Sequence, residues 1–397
     1  MRLERLEAWE VELPFRFSFG HALATRASSQ NLVVAARLAG GAVGYGEGVP
    51  RDYVTGETPE SALARVRDEY GPALIGRELD TADVRASLGA LGAQLHRGRA
   101  PAGAAWCAVE TALLDALGQA LGRPASDFLG GVARPIVAYS GVIPFGHGAG
   151  LLALLLLCRL YGLETVKLKV GQDPDADLRT VKTARRILGP GVELRVDVNC
   201  AWTADETLRM AERLRPFGIR AYEQPVPADD VAGLRRLTAE LPEDVIVDES
   251  LCSLADAERL LAERACNLFN VRVSKCGGPL TALAISGLAQ QAGVECQLGT
   301  QVGESGILTA TGRLVATVAP TPFRYLEGSG YRILLRRDLT RENVKIGHRG
   351  RAPALAGPGL GVHVLGSRVA EMAQGHAALD ASGVQQATAE AVADTRA

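Results

Sequence analysis

Six charged residues recur along the middle of the chain, Lys169, Asp197, Glu223, Asp248, Lys275 and Glu304, at intervals of 28, 26, 25, 27 and 29 residues. Three of them close short apolar runs, LRVD, AYE and VIVD. Three carboxylates brought together by adjacent strands make an oxygen-only site, which favours Mg²⁺ over zinc. A lone acidic residue after a strand is ordinarily a helix N-cap, and Asp197 or Asp248 alone could be read that way. Three in step on consecutive units point instead to a metal.

The lysines supply the other half of the chemistry. In VKLKV, Lys167 and Lys169 are two apart, so on a strand both point to one face while Val166, Leu168 and Val170 point to the other. A strand buried on both sides does not carry two ammonium groups without cause. If that face is the lumen of a barrel, the lysines lie beside the carboxylates, and a metal and a second ammonium nearby would lower one lysine's pKa toward that of a working base. Lys275, one unit beyond Asp248, would stand across the barrel from Lys169; alone it would read as a solvated loop lysine. Two bases on opposite sides of one carbon can remove a proton from one face and return it to the other. A coordinated carboxylate would stabilise the enediolate left when its α-proton departs. Asn199, Gln224 and Glu249 flank the three carboxylates as supporting partners, with Glu249 a candidate to orient Lys275. Glu304, in GTQVGESG, would face the same cavity.

These residues need a scaffold that sets them at successive strand ends. From about 135 to 330, apolar strands (VKLKV, ELRVD, AYE, VIVD, LFNVRV, ECQL) alternate with amphipathic helical stretches such as 203–217 and 253–264. Such alternation predicts parallel strands with helical crossovers. The repeat is close to that of one unit in a (β/α) barrel, about 31 residues. A doubly wound sheet would concentrate its ligand site at one switch point, and no glycine-rich phosphate loop follows any of these strands. Residues 1 to about 50 carry short runs separated by glycine turns, predicting a small antiparallel sheet. Residues 59–128 are helical in pattern, including AAWCAVETALLDALGQAL, which ends at Gly122 with Pro124 just beyond. The stretch 349–364 is rich in Gly and Pro and could pack back on the N-terminal unit, and the Ala-rich end from Gly366 is expected to be a loosely docked tail.

Composition narrows the classes. Hydrophobic residues are 47% and charged residues 22% of 397, with a formal net charge of −2, which gives no electrostatic reason to expect nucleic acid or an anionic membrane as partner. The opening MRLERLEAWEVELPF has no apolar core of a secretory signal. The most apolar run, LLALLLLC at 151–158, is far too short to span a bilayer and reads as a helix packed on something apolar. Seven scattered cysteines without a Cys-x-x-Cys pair exclude a disulfide framework or structural zinc as the organising feature, and a cytoplasmic enzyme is the expectation.

The set VKLKV, DVN, YEQP, VDES, VSKCGG and GESG, in this order and spacing, resembles the muconate-lactonizing-enzyme subgroup of the enolase superfamily. The resemblance begins at the helix WCAVETALLDALGQALGRPASDFLGG and runs to about residue 331. It implies a modified TIM barrel, (β/α)₇β, under an N-terminal α+β capping domain, often in homo-oligomers. The expected division is 1–130 capping domain, 131–331 barrel, 332–365 return to the capping domain and 366–397 tail. By the same resemblance Asp197, Glu223 and Asp248 are ligands of Mg²⁺, with Mn²⁺ as an alternative. Lys169 and Lys275 are the acid/base pair, Lys167 assists electrostatically and Glu304 lines the site. The stretch 17–29 (FSFGHALATRASS) looks like a mobile loop closing over a small carboxylate substrate, with His21 and Arg26 as candidate contacts. The family includes dipeptide epimerases, N-acyl amino acid racemases, o-succinylbenzoate synthases and muconate cycloisomerases. Dipeptide epimerases usually carry an Asp-x-Asp pair near the last barrel strand, where this chain has FRYLEGSGYRILL and only Glu327. The expected reaction is racemisation or epimerisation of an amino acid derivative or dipeptide, with muconate-type cycloisomerisation or o-succinylbenzoate-type syn-elimination as the alternative. Dehydration of an acid sugar relies on a late His–Asp pair, and no histidine lies between His147 and His348. A non-catalytic member would have lost a lysine or a metal carboxylate, and all are present.

Overall fold

In the N-terminal strand, buried residues fall at Leu6, Ala8 and Glu10 and then at Val11, Leu13 and Phe15. This parity change is made by a β-bulge at Glu10/Val11, which keeps apolar side chains on the core face of a long strand. The computed structural model describes residues 1–21, 24–97, 103–328, 331–342 and 344–381, the side chains of 18–21, 24–25 and 331–332 excepted.

Strands β1 (Leu3–His21), β2 (Ala24–Leu38) and β3 (Val43–Gly48) open the chain. A short strand β4 (Ile136–Ala138) precedes the barrel strands β5 (Gly141–Ile143), β6 (Thr165–Lys169), β7 (Glu193–Asp197) and β8 (Ile219–Glu223). These continue with β9 (Asp244–Val247), β10 (Leu268–Arg272), β11 (Glu295–Gly299) and β12 (Tyr325–Leu326). The chain closes with β13 (Arg351–Pro353), paired with β4, and β14 (Ala373–Asp380).

Strands β5 to β12 form one parallel sheet in sequence order, each joined to the next by a helix, the (β/α)₇β arrangement. Its ends meet where Ser140 N–H donates to the Leu326 carbonyl at 2.7 Å. On β6 and β7 the apolar residues Val166, Leu168, Leu194 and Val196 are fully buried in the main core, and Lys167, Lys169, Arg195 and Asp197 take the other parity. A separate apolar cluster of Ala221, Ile246, Leu268 and Tyr325 fills the lumen beneath the polar residues, as side-chain layers do in such barrels.

The cap is an antiparallel sheet in the order β14-β1-β2-β3, covered by the helix Gly103–Leu121. Strand β3 carries glycine at every second position, and a Cβ at Gly44, Gly46 or Gly48 would overlap the helix backbone at Ala116, Ala108 or Ala104. Glycines on the strand and alanines every fourth residue on the helix let the two backbones approach closely. The cap is tied to the barrel by buried Glu47, which accepts from Asn31 Nδ2 (2.6 Å), Ser305 Oγ (2.6 Å) and Leu308 N–H (2.9 Å).

Two expectations are corrected. The stretch expected as a tail begins with a helix (Gly366–Glu371) and continues as β14, which pairs with Arg5–Val11 of β1; an open sheet edge supplies ladder partners that composition does not reveal. Residues 382–397 of that stretch lie outside the described residues. The stretch expected as a mobile loop over the site, 17–29, extends the β1–β2 hairpin, with Phe19 opposite Arg26 and Gly20 opposite Thr25. Phe15, Phe17 and Phe19 at every second position carry the strand signal there. The apolar run 151–158 lies, as expected, in a helix, Gly148–Leu160, packed on the core through Leu151, Leu155 and Cys158, while Leu152, Leu156 and Leu157 are exposed. All seven cysteines are free, five of them buried. Among the described residues no helix is long and apolar enough to cross a membrane.

Candidate active site

The helix after each barrel strand finds its N-cap in a residue other than the six charged ones. Asp173, Thr203, Asp230, Ser253 and Ser305 cap the helices that follow β6, β7, β8, β9 and β11, each accepting a backbone N–H. Asp197, Glu223 and Asp248 are thereby released from capping and stand fully buried at three consecutive strand ends. Lys169, Asp197 and Glu223 are paired across the ladder from β6 to β8, and Asp248 follows directly on β9.

Cations of the chain neutralise these carboxylates. Lys169 Nζ donates to Asp197 Oδ2 at 2.8 Å and to Asn199 Oδ1 at 2.5 Å. Lys167 Nζ donates to Glu223 Oε1 at 2.9 Å and lies 3.3 Å from Asp197 Oδ2. Lys275 Nζ donates to Asp248 Oδ1 at 2.7 Å and to the Asn270 carbonyl at 3.1 Å, and Arg272 pairs with Asp248 Oδ2. Burial alone would push the Asp197 carboxyl up, but Lys169 and Lys167 outweigh it and hold it below the usual carboxylate range. Burial likewise works to lower Lys167, and the carboxylates of Glu223, Glu327 and Asp197 hold it above the ordinary lysine value. Lys275 moves the other way: burial, with the nearby Arg272 guanidinium, pushes its pKa down, the direction a base needs.

Lys169 and Lys275 belong to opposite walls, since β10 is the fourth strand on from β6 in a row of eight. Glu304 follows β11 in the same mouth, its Oε1 accepting from Gln301 N–H at 2.7 Å; burial pushes its pKa up to about 8. With Tyr139, Thr300 and Glu327 it lines a small cavity. The flanking residues brace the ligand candidates. Gln224 Oε1 accepts from Asp248 N–H at 2.8 Å, and Asn199 Nδ2 donates to Glu249 Oε1 at 3.1 Å. Asn199, Cys200 and Gln224 have positive φ of 47°, 65° and 35°, backbone strain of the kind that clusters at functional sites. Lys275 is held by Asp248 and Asn270, where Glu249 was the expected orienting partner. Arg26 lies in the cap over the Tyr53 ring at 5.8 Å, and the His21 side chain is outside the described residues.

Sequence reading passed over Arg195, Arg272, Asn270 and Gln297, which bond the carboxylates of the lumen. Arg195 Nη2 donates to Glu327 Oε1 at 2.5 Å and its guanidinium lies 4.2 Å from the Tyr325 ring centroid. Glu327, 5% exposed, also receives Lys167, so both its oxygens are engaged. Asn270 Nδ2 and Gln297 Nε2 donate to the two oxygens of Glu223 at 2.8 Å each. The signal for Arg195 and Arg272 was parity: Arg195 is two residues from Asp197, and Arg272 two from Asn270.

The donor set fits a hard divalent cation. It is all oxygen and buried, and one carboxylate oxygen, Glu249 Oε2, is buried without a partner. Among the described residues no three acidic, histidine or cysteine side chains converge on one point as they stand, each carboxylate being turned onto a lysine or arginine.

Residues 154–368 match the family described as enolase C-terminal domain-like, and residues 5–130 match the mandelate racemase/muconate lactonizing enzyme N-terminal domain. A hydrophobic dipeptide epimerase of Enterococcus faecalis is 30% identical over 319 residues, covering 80% of this chain and 87% of the relative. Muconate cycloisomerase 1 of Pseudomonas putida is 32% identical over 318 residues, covering 78% and 82%. A crystal structure of a dipeptide epimerase from E. faecalis, complexed with Mg and the dipeptide L-Leu-L-Tyr, superposes with a TM-score of 0.83 at 26% identity, covering 91% of this chain and 99% of that one.

Proposed function

The chain belongs to the enolase superfamily, within its muconate-lactonizing-enzyme subgroup, and on that footing we propose that it moves the proton α to a carboxylate, racemising or epimerising an amino acid derivative. The observation that carries this reading is the placement of two lysines, Lys169 and Lys275, on opposite walls of one buried, carboxylate-lined lumen. In the proposed reaction one lysine takes the α-proton and the other delivers a proton to the opposite face, inverting the centre. Lys167, locked between Glu223 and Glu327, stays charged and faces the negative charge that gathers on the substrate carboxylate. Asp197, Glu223 and Asp248 would hold Mg²⁺, which when bound offsets that same charge. Asn199 keeps Lys169 aligned, and Gln224 fixes the Asp248 backbone.

A second reading, cycloisomerisation or syn-elimination with Lys275 as a charged bystander, draws on one feature. Lys275 Nζ has oxygen acceptors on two sides, as an ammonium would require.

The test is α-hydrogen exchange in D₂O with Mg²⁺ across N-acyl amino acids, dipeptides and muconates. Exchange is expected with an amino acid derivative and is expected to disappear in Asp197→Asn. Exchange that persists after chelation of the metal would sink the mechanism.

A further inference from the structure

Lys275 lies in the turn 273–278, which joins β10 to the barrel helix Pro279–Ala292. Bonds within the turn shape it: Cys276 N–H donates to the Arg272 carbonyl and Gly278 N–H to the Val273 carbonyl, each at 2.9 Å. The cap holds the turn from outside. Val49 N–H, directly after β3, donates to Ser274 Oγ at 2.8 Å. Gly103, the first residue of the cap helix Gly103–Leu121, rests on the Lys275 carbonyl. A Cβ on Gly103 would overlap that carbonyl oxygen and crowd the Ser274 carbonyl as well. At the far end of the turn, Glu110 of the same helix accepts from Leu280 N–H at 2.9 Å.

The start of the cap helix is itself anchored. Buried Glu57 accepts from Ala104 N–H at 2.9 Å and from Ala105 N–H at 3.1 Å, answering two of the donors that a helix start leaves open. Gly48 of β3 packs against the Ala104 backbone from another side. Lys169 is held differently. It is paired within the barrel ladder, and its partners Asp197 and Asn199 are both barrel residues. The cap thus touches the backbone that carries one lysine, while the barrel alone positions the other. A methyl group on Gly103 would meet backbone atoms, which cannot rotate aside. With the helix start pinned by Glu57 and Gly48, the turn yields, and the fully buried Lys275 side chain moves with it.

We infer that Gly103 and Glu57 are positioning residues through which the cap sets Lys275, so that the cap governs one face of the proton transfer and leaves the other to the barrel. This rests on the proton-transfer reading above and gives the cap a part in one of its two half-reactions.

The experiment follows α-deuterium exchange by NMR in the full-length protein with Mg²⁺. The probes are the separate enantiomers of N-acetyl amino acids, and the L,L- and L,D-dipeptides. Lys275→Ala identifies which stereoisomer depends on Lys275. Gly103→Ala is expected to lower kcat for that stereoisomer by about a hundredfold, the cost of roughly 1 Å of misplacement, with KM and the other stereoisomer within about threefold. Glu57→Gln, which keeps one oxygen acceptor, is expected to shift the ratio of the two rates the same way by about tenfold. Gly89→Ala adds a methyl group in the cap that meets nothing within 4 Å, and is expected to leave the ratio unchanged. Both stereoisomers slowed alike, with a lower melting temperature, would make Gly103 structural and overturn the inference. An unchanged ratio, a selective loss on the Lys169 side, or an equal shift in Gly89→Ala overturns it too. Should Gly103→Ala fail to fold, the ratio in Glu57→Gln decides. Absence of exchange by wild type with every probe, or loss of both stereoisomers in Lys275→Ala, brings down the two-base reading itself.

Discussion

Lys275 and Lys169 differ in their surroundings, and that difference makes the two-base reading testable at single residues. Lys169 sits on a strand and bonds Asp197 and Asn199, whereas Lys275 sits beyond a strand end, fully buried, with its pKa pushed down. If both are bases, Lys275→Ala is expected to lose racemisation by about a thousandfold, the scale of a lost general base. It should still exchange the α-hydrogen of the one enantiomer that faces Lys169, and Lys169→Ala should show the opposite preference. Deuterium exchange followed by NMR on each pure enantiomer checks this. Retained turnover of an unsaturated diacid by Lys275→Ala would favour the cycloisomerase reading instead. The lysines and carboxylates were legible in the sequence because each interrupts an apolar strand end at a regular interval. Arg195 and Asn270 were not, because a polar residue inside a strand shows its role only once a partner strand stands opposite. Glu327 lies 132 residues from Arg195 in sequence.

Among the elements, the strand β3 and the helix Gly103–Leu121 form a close backbone contact in the cap, and its cause is the absence of side chains. Gly46→Ala would drive a methyl group into the carbonyl of Ala108 with no flexible atom to yield. The expected cost is about 3 kcal/mol, the upper range for overfilling a packed interior, read as a shift in denaturation midpoint at unchanged slope. The repeat of strands and helices was plain in the sequence because periodicity is a local property. The long β1–β2 hairpin and the C-terminal strand were not, since a strand is specified as much by the edge it meets as by its own residues. Strand β14 has only modest apolar character, and its seven-residue pairing with β1 depends on an edge contributed by the other end of the chain.

At the scale of the molecule, cap and barrel are joined through buried carboxyls that belong to one and bond the other. Glu110, on the cap helix, accepts from Leu280 N–H at the start of the barrel helix Pro279–Ala292 (2.9 Å) and from Trp106 Nε1 (3.1 Å), and burial pushes its pKa up from 4.5 to about 7. A carboxyl whose folded pKa is raised holds its proton in the fold after the unfolded chain has lost it. Its contribution is therefore fully present below about pH 4.5 and is lost as pH rises through about 7. Between those values the melting temperature of wild type is expected to decline more steeply than that of Glu110→Gln, and equal slopes would remove Glu110 as the titrating joint. By itself the sequence determined the strand–helix repeat, the superfamily and the lysines and carboxylates at the strand ends, because the period of a strand and the length of a βα unit are set by neighbouring residues. Only the tertiary structure decided which cation faces which carboxylate, that Glu327 is closed by Lys167 and Arg195, and that the cap helix rests on the Lys275 backbone. Those relations span the closed barrel and its cap, and a partner exists for a side chain only when distant segments have been brought within hydrogen-bond reach.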